Sequence, residues 1–158
     1  MSSTLAVGIV GAGAIACGTA ALLARSGHRV QLWSPSGKST AALAGGQPLK
    51  AQGAIEGEFA VQAASSAADL AAHAQVIVLA LPAYAHRKMM DAIAGHLTRE
   101  HVVIISSHAS LGALYLARLL KHRGVNLPIV AWGTTAVSGR LSAPCSVKVN
   151  TVRSKIDL

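Results

Sequence analysis

Short, almost purely apolar runs alternate along this chain with longer segments whose apolar residues recur at helical spacing. Residues 4–10 (TLAVGIV) are a run of the first kind and predict a short buried strand. Residues 14–26 are dominated by helix formers, and Gly27 supplies a stop. A second strand is predicted over residues 29–33, followed by a polar loop over 34–40 that contains Pro35 and Gly37. The weaker pattern of residues 40–62 predicts a short helix at 40–44 and two short strands around Gly53 and Gly57. Ser65 or Ser66 can cap a helix running to residue 72, with Asp69 in its first turn.

The clearest buried strand lies within residues 75–81, reads VIVLAL and ends at Pro82. Helices over 84–96 and 111–122, and strands over 101–105, 127–132 and 146–151, complete the pattern. Strands separated by helices of this length build βαβ units. The expected class is therefore α/β: one domain over residues 1–158, with a doubly wound, mostly parallel sheet and helices on both faces.

Composition changes this picture little. Of the 158 residues, 52% are hydrophobic and only 3% aromatic, which suits close packing of helices on a sheet and not a disordered chain. The formal charge of +8 raises the question of nucleic acid. The cations are scattered, however, with only Arg87-Lys88 and Lys121/Arg123 near one another, and stacking aromatics are scarce; no nucleic-acid partner is expected. Residues 5–24 carry no charge, yet Gly8, Gly11, Gly13 and Gly18 fall where a strand–turn–helix unit needs them, so no membrane span is expected either. Cys17 and Cys145 stand far apart and form no C-x-x-C pair, and no two histidines have H-x-x-x-H spacing. No metal site is expected, and the thiols fit a reducing, cytoplasmic setting.

The chemistry concentrates between the first strand and the first helix. Gly11-Ala12-Gly13-Ala14-Ile15-Ala16 is a G-x-G-x-x-A turn. Gly11 permits the sharp turn, Gly13 lets the backbone approach a pyrophosphate, and Ala16 keeps helix and strand close. The helix N-terminus then offers free N–H groups and partial positive charge to the phosphates. This is the fingerprint of a Rossmann-type dinucleotide-binding domain. A carboxylate at the end of the second strand would hold the ribose 2′-OH of NAD, but none occurs before Glu56. The loop instead offers Ser34, Ser36, Lys38, Ser39 and Thr40, with Arg29 close in sequence. Hydroxyls and a cation suit a 2′-phosphate, so NADP is the expected cofactor, with NAD the alternative. Trp33 either flanks the adenine or belongs to the core. There is no nucleophile elbow and no lysine of a Walker loop after the glycines.

With this turn, the VIVLALPAYAH segment and residues 104–114, the chain resembles the N-terminal domain of the opine dehydrogenase family, the enzymes of octopine and nopaline formation. More distantly it looks like ketopantoate reductase and glycerol-3-phosphate dehydrogenase. Pro82-Ala83-Tyr84-Ala85-His86 resembles that family's P-A-x-x-H segment, Gly112-Ala113-Leu114 a helix start, and Arg140 with residues 147–157 the stretch that closes the domain. Ala14 and Ile15 depart from the Asn and Gly often found there, and Ser106-Ser107-His108 departs from an N-P-G-type segment.

The resemblance implies an oxidoreductase that condenses an amino acid with a 2-oxo acid, and a homodimer is one assembly it allows. It adds Leu81, Pro82, Ala83 and His86 to the cofactor contacts. It also implies that the catalytic groups lie in a helical C-terminal domain beyond this chain, with His86 and His108 giving at most assistance here. His86 alternatively fills a helix start. Arg140 either meets a substrate carboxylate or is an exposed surface arginine.

Overall fold

A computed structural model describes residues 3–107 and 111–157. The first βα unit runs from β1 (Ala6–Val10) through α1 (Ala14–Arg25) to β2 (Arg29–Trp33). A 3-10 turn at Lys38–Thr40, α2 (Ala41–Ala44), β3 (Leu49–Gly53), β4 (Gly57–Phe59) and β5 (Gln62–Ala63) follow. Next come α3 (Ala67–Ala72), β6 (Val76–Leu79), α4 (Ala83–Ala94), β7 (Val102–Ile105), α5 (Gly112–His122) and β8 (Ile129–Ala131). The described chain closes with the hairpin β9 (Val137–Ala143) and β10 (Ser146–Val152).

Six strands form a parallel sheet in the order β5-β2-β1-β6-β7-β8. The doubly wound α/β architecture expected from the sequence is therefore present. Side chains of these strands alternate between two cores, as the period of two demands. Val7, Ile9, Val30, Leu32 and Val78 join Ala16, Ala20 and Ala21 of α1 in one. Ile77, Leu79, Val103 and Ile105 join Leu70 of α3, Met90 and Ile93 of α4 and Leu116 of α5 in the other.

Local signals start and stop the helices. The Ser66 hydroxyl accepts from the Asp69 backbone N–H at 3.0 Å, while the Asp69 carboxylate accepts from the Ser65 N–H at 2.7 Å and the Ser65 hydroxyl at 2.9 Å. This reciprocal box caps α3. Its hydrogen bonds, the Ser65 backbone N–H first, hold the Asp69 carboxyl below the usual carboxylate range. Arg123 reaches back from the end of α5 to the carbonyl oxygens of Ala94 and Leu97, satisfying the C-terminus of α4.

A second sheet was not foreseen. β4, β3, β10 and β9 pair in that order, with β10 parallel to β3 and antiparallel to β9. It covers the α1 face of the main sheet: Leu49, Ala51, Val137, Val147 and Val149 enter the core that α1 shares. A Cβ at Gly18 would lie 2.8 Å from Cγ2 of Val137, so a glycine there lets α1 sit against the hairpin. β9 (VSGRLSA) alternates apolar or glycine positions with polar ones, but only Val137 is buried and residues 140–143 are exposed; it pairs with β10 with irregularities at two places.

Candidate functional site

Ligands of open parallel sheets collect where the strand order reverses, outside the C-terminal ends of the strands. Here that point lies between β1 and β6, because the chain leaves β1 toward β2 and returns to its other side as β6. A cleft of about 350 Å³ opens there, lined by Gly13, Ala14, Ile15, Ala80, Leu81, Pro82, Ala83, Ser106, Ser107 and Thr135. Six of the residues read from the sequence as cofactor contacts are thus brought together: Gly13, Ala14, Ile15, Leu81, Pro82 and Ala83.

The two glycines of the turn have different duties. Gly11 has φ +126°, and a Cβ on it would stand 2.5 Å from the Ala80 carbonyl oxygen. Its N–H donates to the Trp33 carbonyl at 2.8 Å, tying the tips of β1 and β2 together. Gly13 has ordinary extended backbone, φ −81° and ψ −175°, and a Cβ there would meet nothing within 4 Å. The space above it is open. Gly13 is the N-cap of α1, makes no side-chain cap, and no acid sits in the first turn. The first intrahelical donor is Cys17, to the Gly13 carbonyl at 2.9 Å, so the N–H groups of Ala14, Ile15 and Ala16 have no partner within the helix, and Gly13, Ala14 and Ile15 line the cleft. Ala16 is fully buried and serves packing. This cradle fits a pyrophosphate in shape and in charge.

The loop after β2 stands at the neighbouring strand tip. Gly37, at φ +66°, donates its N–H to the Ser34 carbonyl at 3.0 Å, which folds the loop into a turn. Ser36, Lys38 and Ser39 are exposed, Ser34 is half-buried, and Thr40 is buried with its hydroxyl on the Gly37 carbonyl at 3.3 Å. Thr40 therefore supports the loop. Trp33 is 7% exposed and packs in the core among Val10, Ala64 and Leu70. Arg29 needs correction: it starts β2, whose tip at Trp33 lies four residues on, roughly 13 Å away at strand rise. Strand direction carries it to the opposite edge of the sheet, beside His28 and Glu58.

His86 is 5% exposed. Its Nε2 lies 3.0 Å from the Leu81 carbonyl oxygen; a carbonyl can only accept, so Nε2 carries the proton and donates. The ring thus pins the turn between β6 and α4. It lines an adjoining pocket of about 330 Å³ with Ala83, Arg87, Met90, Leu111, Gly112 and Tyr115 and is not among the residues lining the cleft at Gly13. Arg140 is exposed on β9, paired with Lys148, and lines neither pocket. His108 lies outside the described residues.

Ser106, Ser107 and Thr135 were not read from the sequence as contacts. The switch-point rule would have found the two serines, which follow β7 as Ala80 and Leu81 follow β6. Thr135, in an irregular segment, carried no signal.

The thiols are inert. Burial first, then the neighbouring Cys145, pushes Cys17 up to about 12, and burial also raises Cys145. Both stay protonated at neutral pH. Among the described residues no group of three His, Cys, Asp or Glu could hold a metal ion, and no helix is long and apolar enough to cross a membrane.

Comparison with known proteins gives the family and the fold. The sequence profile of the ketopantoate reductase PanE/ApbA family matches residues 7–156. No curated protein sequence matches significantly. Among solved structures, octopine dehydrogenase with NADH and pyruvate superposes with a TM-score of 0.81 at 16% identity, over 97% of this chain and 42% of that one. A PanE/ApbA family ketopantoate reductase from Ralstonia eutropha JMP134 gives 0.72 at 19% identity, over 93% and 47%. D-mandelate dehydrogenase with NADH and anilino(oxo)acetate gives 0.72 at 19% identity, over 93% and 46%. The chain spans less than half the length of these three.

Proposed function

This chain belongs to the ketopantoate reductase PanE/ApbA family, a family of NAD(P)-dependent oxidoreductases, and from that premise we propose that it is an NADP(H)-holding domain for hydride transfer to C2 of a 2-oxo acid. The observation that carries the reading is the uncapped α1 N-terminus beneath open space at Gly13, flanked by a β2 loop with a lysine and no acid. The pyrophosphate would rest on the N–H groups of Ala14, Ile15 and Ala16. Ser34, Ser36, Lys38 and Ser39 would take the 2′-phosphate, which a carboxylate would repel.

The bound nicotinamide supplies the hydride. This chain's own residues would hold and orient the cofactor, with Ile15, Leu81 and Pro82 as the apolar lining against it. Among the described residues, none lining the cleft carries an acid or base. The proton delivered to the substrate oxygen would come from a second, helical domain, which would also hold most of the substrate.

A second reading keeps the cofactor and changes the acceptor. Reductive condensation of an amino acid with a 2-oxo acid would send the hydride to C2 of an imine. The backbone similarity to octopine dehydrogenase and the Pro82–Ala83 turn with His86 behind it favour it.

The test is titration of the protein with NADPH and with NADH by calorimetry. Tighter binding of NADPH, and a Lys38→Glu variant that weakens NADPH more than NADH, are expected. A tenfold preference for NADH would overturn the assignment of the 34–40 loop. Binding of neither by folded protein would overturn the function.

A further inference from the structure

Four buried side-chain atoms lack a hydrogen-bond partner among the described residues: Thr19 Oγ1, Gln31 Oε1, His86 Nδ1 and Ser106 Oγ. Only Ser106 among them lines the cleft beside the glycine turn. It is 2% exposed, and its backbone N–H donates to the Leu79 carbonyl at 3.0 Å, so the β6–β7 ladder fixes its position. A hydroxyl shut away from water without a partner is unfavourable, and native structures leave few. An orphan at the mouth of a ligand cleft is satisfied when the ligand brings the partner. The other hydroxyl whose bonding is resolved there, Thr135 Oγ1, already donates to the Val137 carbonyl at 2.7 Å.

Sheet order says which part of a dinucleotide that partner belongs to. The 34–40 loop follows β2, on one side of β1; Ser106 follows β7, two strands away on the other side. At the spacing of neighbouring strands Ser106 stands roughly 10 Å from the tip of β1. A pyrophosphate anchored at Gly13 with its adenosine 2′-phosphate toward β2 must send its other half across β6 toward β7. We infer that the Ser106 hydroxyl hydrogen-bonds the nicotinamide riboside half of the bound cofactor and sets the affinity for that half alone. The inference rests on the cofactor reading above and adds to it a positioning residue that no motif marks.

Calorimetry with two ligands tests it: NADPH, and adenosine 2′,5′-bisphosphate, which lacks the nicotinamide half. Ser106→Ala should weaken NADPH about 3- to 10-fold, the range of one hydrogen bond, and leave the bisphosphate within 1.5-fold. Ligand-free Ser106→Ala should melt no lower than the wild type, because it loses an unpaired hydroxyl. Unchanged NADPH affinity, equal weakening of both ligands, or a lower melting point of the free variant would overturn the inference. Wild type that binds the bisphosphate as tightly as NADPH would overturn it while leaving the cofactor site standing. Wild type that binds neither ligand would overturn both.

Discussion

Replacing Gly11 and Gly13 in turn by alanine should separate folding from binding, because one added methyl group meets opposite surroundings at the two positions. At Gly11 the new Cβ would sit 2.5 Å from the Ala80 carbonyl oxygen, on a backbone with φ +126° that L-residues rarely adopt. Backbone strain alone costs about 1–3 kcal/mol, and moving the β6 end aside adds to it. A loss of about 3 kcal/mol lowers Tm by about 6–12 °C in a domain of this size. At Gly13 the methyl group enters open space on extended backbone. The stiffer unfolded chain contributes about 0.4–1 kcal/mol in favour of folding, and alanine's poorer fit at an N-cap takes back a similar amount. Net stability should stay within about 0.5 kcal/mol, a Tm change of about 2 °C or less. The same methyl group stands where a pyrophosphate must approach the N–H groups of α1. Losing one charge-assisted hydrogen bond costs about 1.5–3 kcal/mol, so Gly13→Ala should weaken NADPH at least tenfold. Differential scanning fluorimetry and calorimetry on the two variants suffice. If both variants melt alike, or if Gly13→Ala keeps NADPH affinity within twofold, the division of labour between the glycines is wrong.

Further outcomes are expected away from the cleft. Ser66→Ala removes the α3 N-cap and should cost about 1 kcal/mol, seen as a Tm lowered by about 2–4 °C. Asp69→Asn should lower Tm at pH 7. The Asp69 pKa is depressed, so its contribution is present above the unfolded carboxylate value and lost as pH falls through the folded one. Wild type and variant should therefore converge in acid melting curves. Cys17 behaves in the opposite sense: the unfolded thiol ionises from its ordinary value of 9.0 and the folded one only near about 12. Stability measured by urea titration should decline between those values, and Cys17→Ala should flatten the decline. At pH 8 a disulfide reagent should modify neither Cys17 nor Cys145 until the chain unfolds; fast labelling of the native protein would contradict their burial.

Where a segment carries its own signal, the sequence was enough. β1, the glycine turn and α1 form one continuous local pattern, Ser66 and Asp69 cap within three residues, and β6 is buried on both faces. The switch-point cleft follows from strand order, which short parallel connections restrict to a few choices. What stayed hidden depends on partners far along the chain. β9 alternates in sequence, but its apolar positions include a glycine and an alanine and its last four residues are exposed, so the signal is weak until β10 pairs with it. The pairing of β10 with β3 joins two segments that each carry a strand signal of their own, but nothing in either says that they are neighbours. Arg29 was read by proximity in sequence, although a strand carries its two ends to opposite edges of the sheet. Ser106 has no motif, since an unpaired hydroxyl exists only once the walls around it do.

The parallel seam between β10 and β3 also dictates an order of events. Ser146 pairs with Lys50, and Val149 with Gly53, so roughly a hundred residues must be made before that seam can close. Until then Ala20 and Ala21 of α1 and Leu49 of β3 lack Val137, Val147 and Val149, which share their core. During synthesis the glycine turn would emerge early while its helix stays uncovered, leaving the half-made chain in need of shelter until the last hairpin arrives.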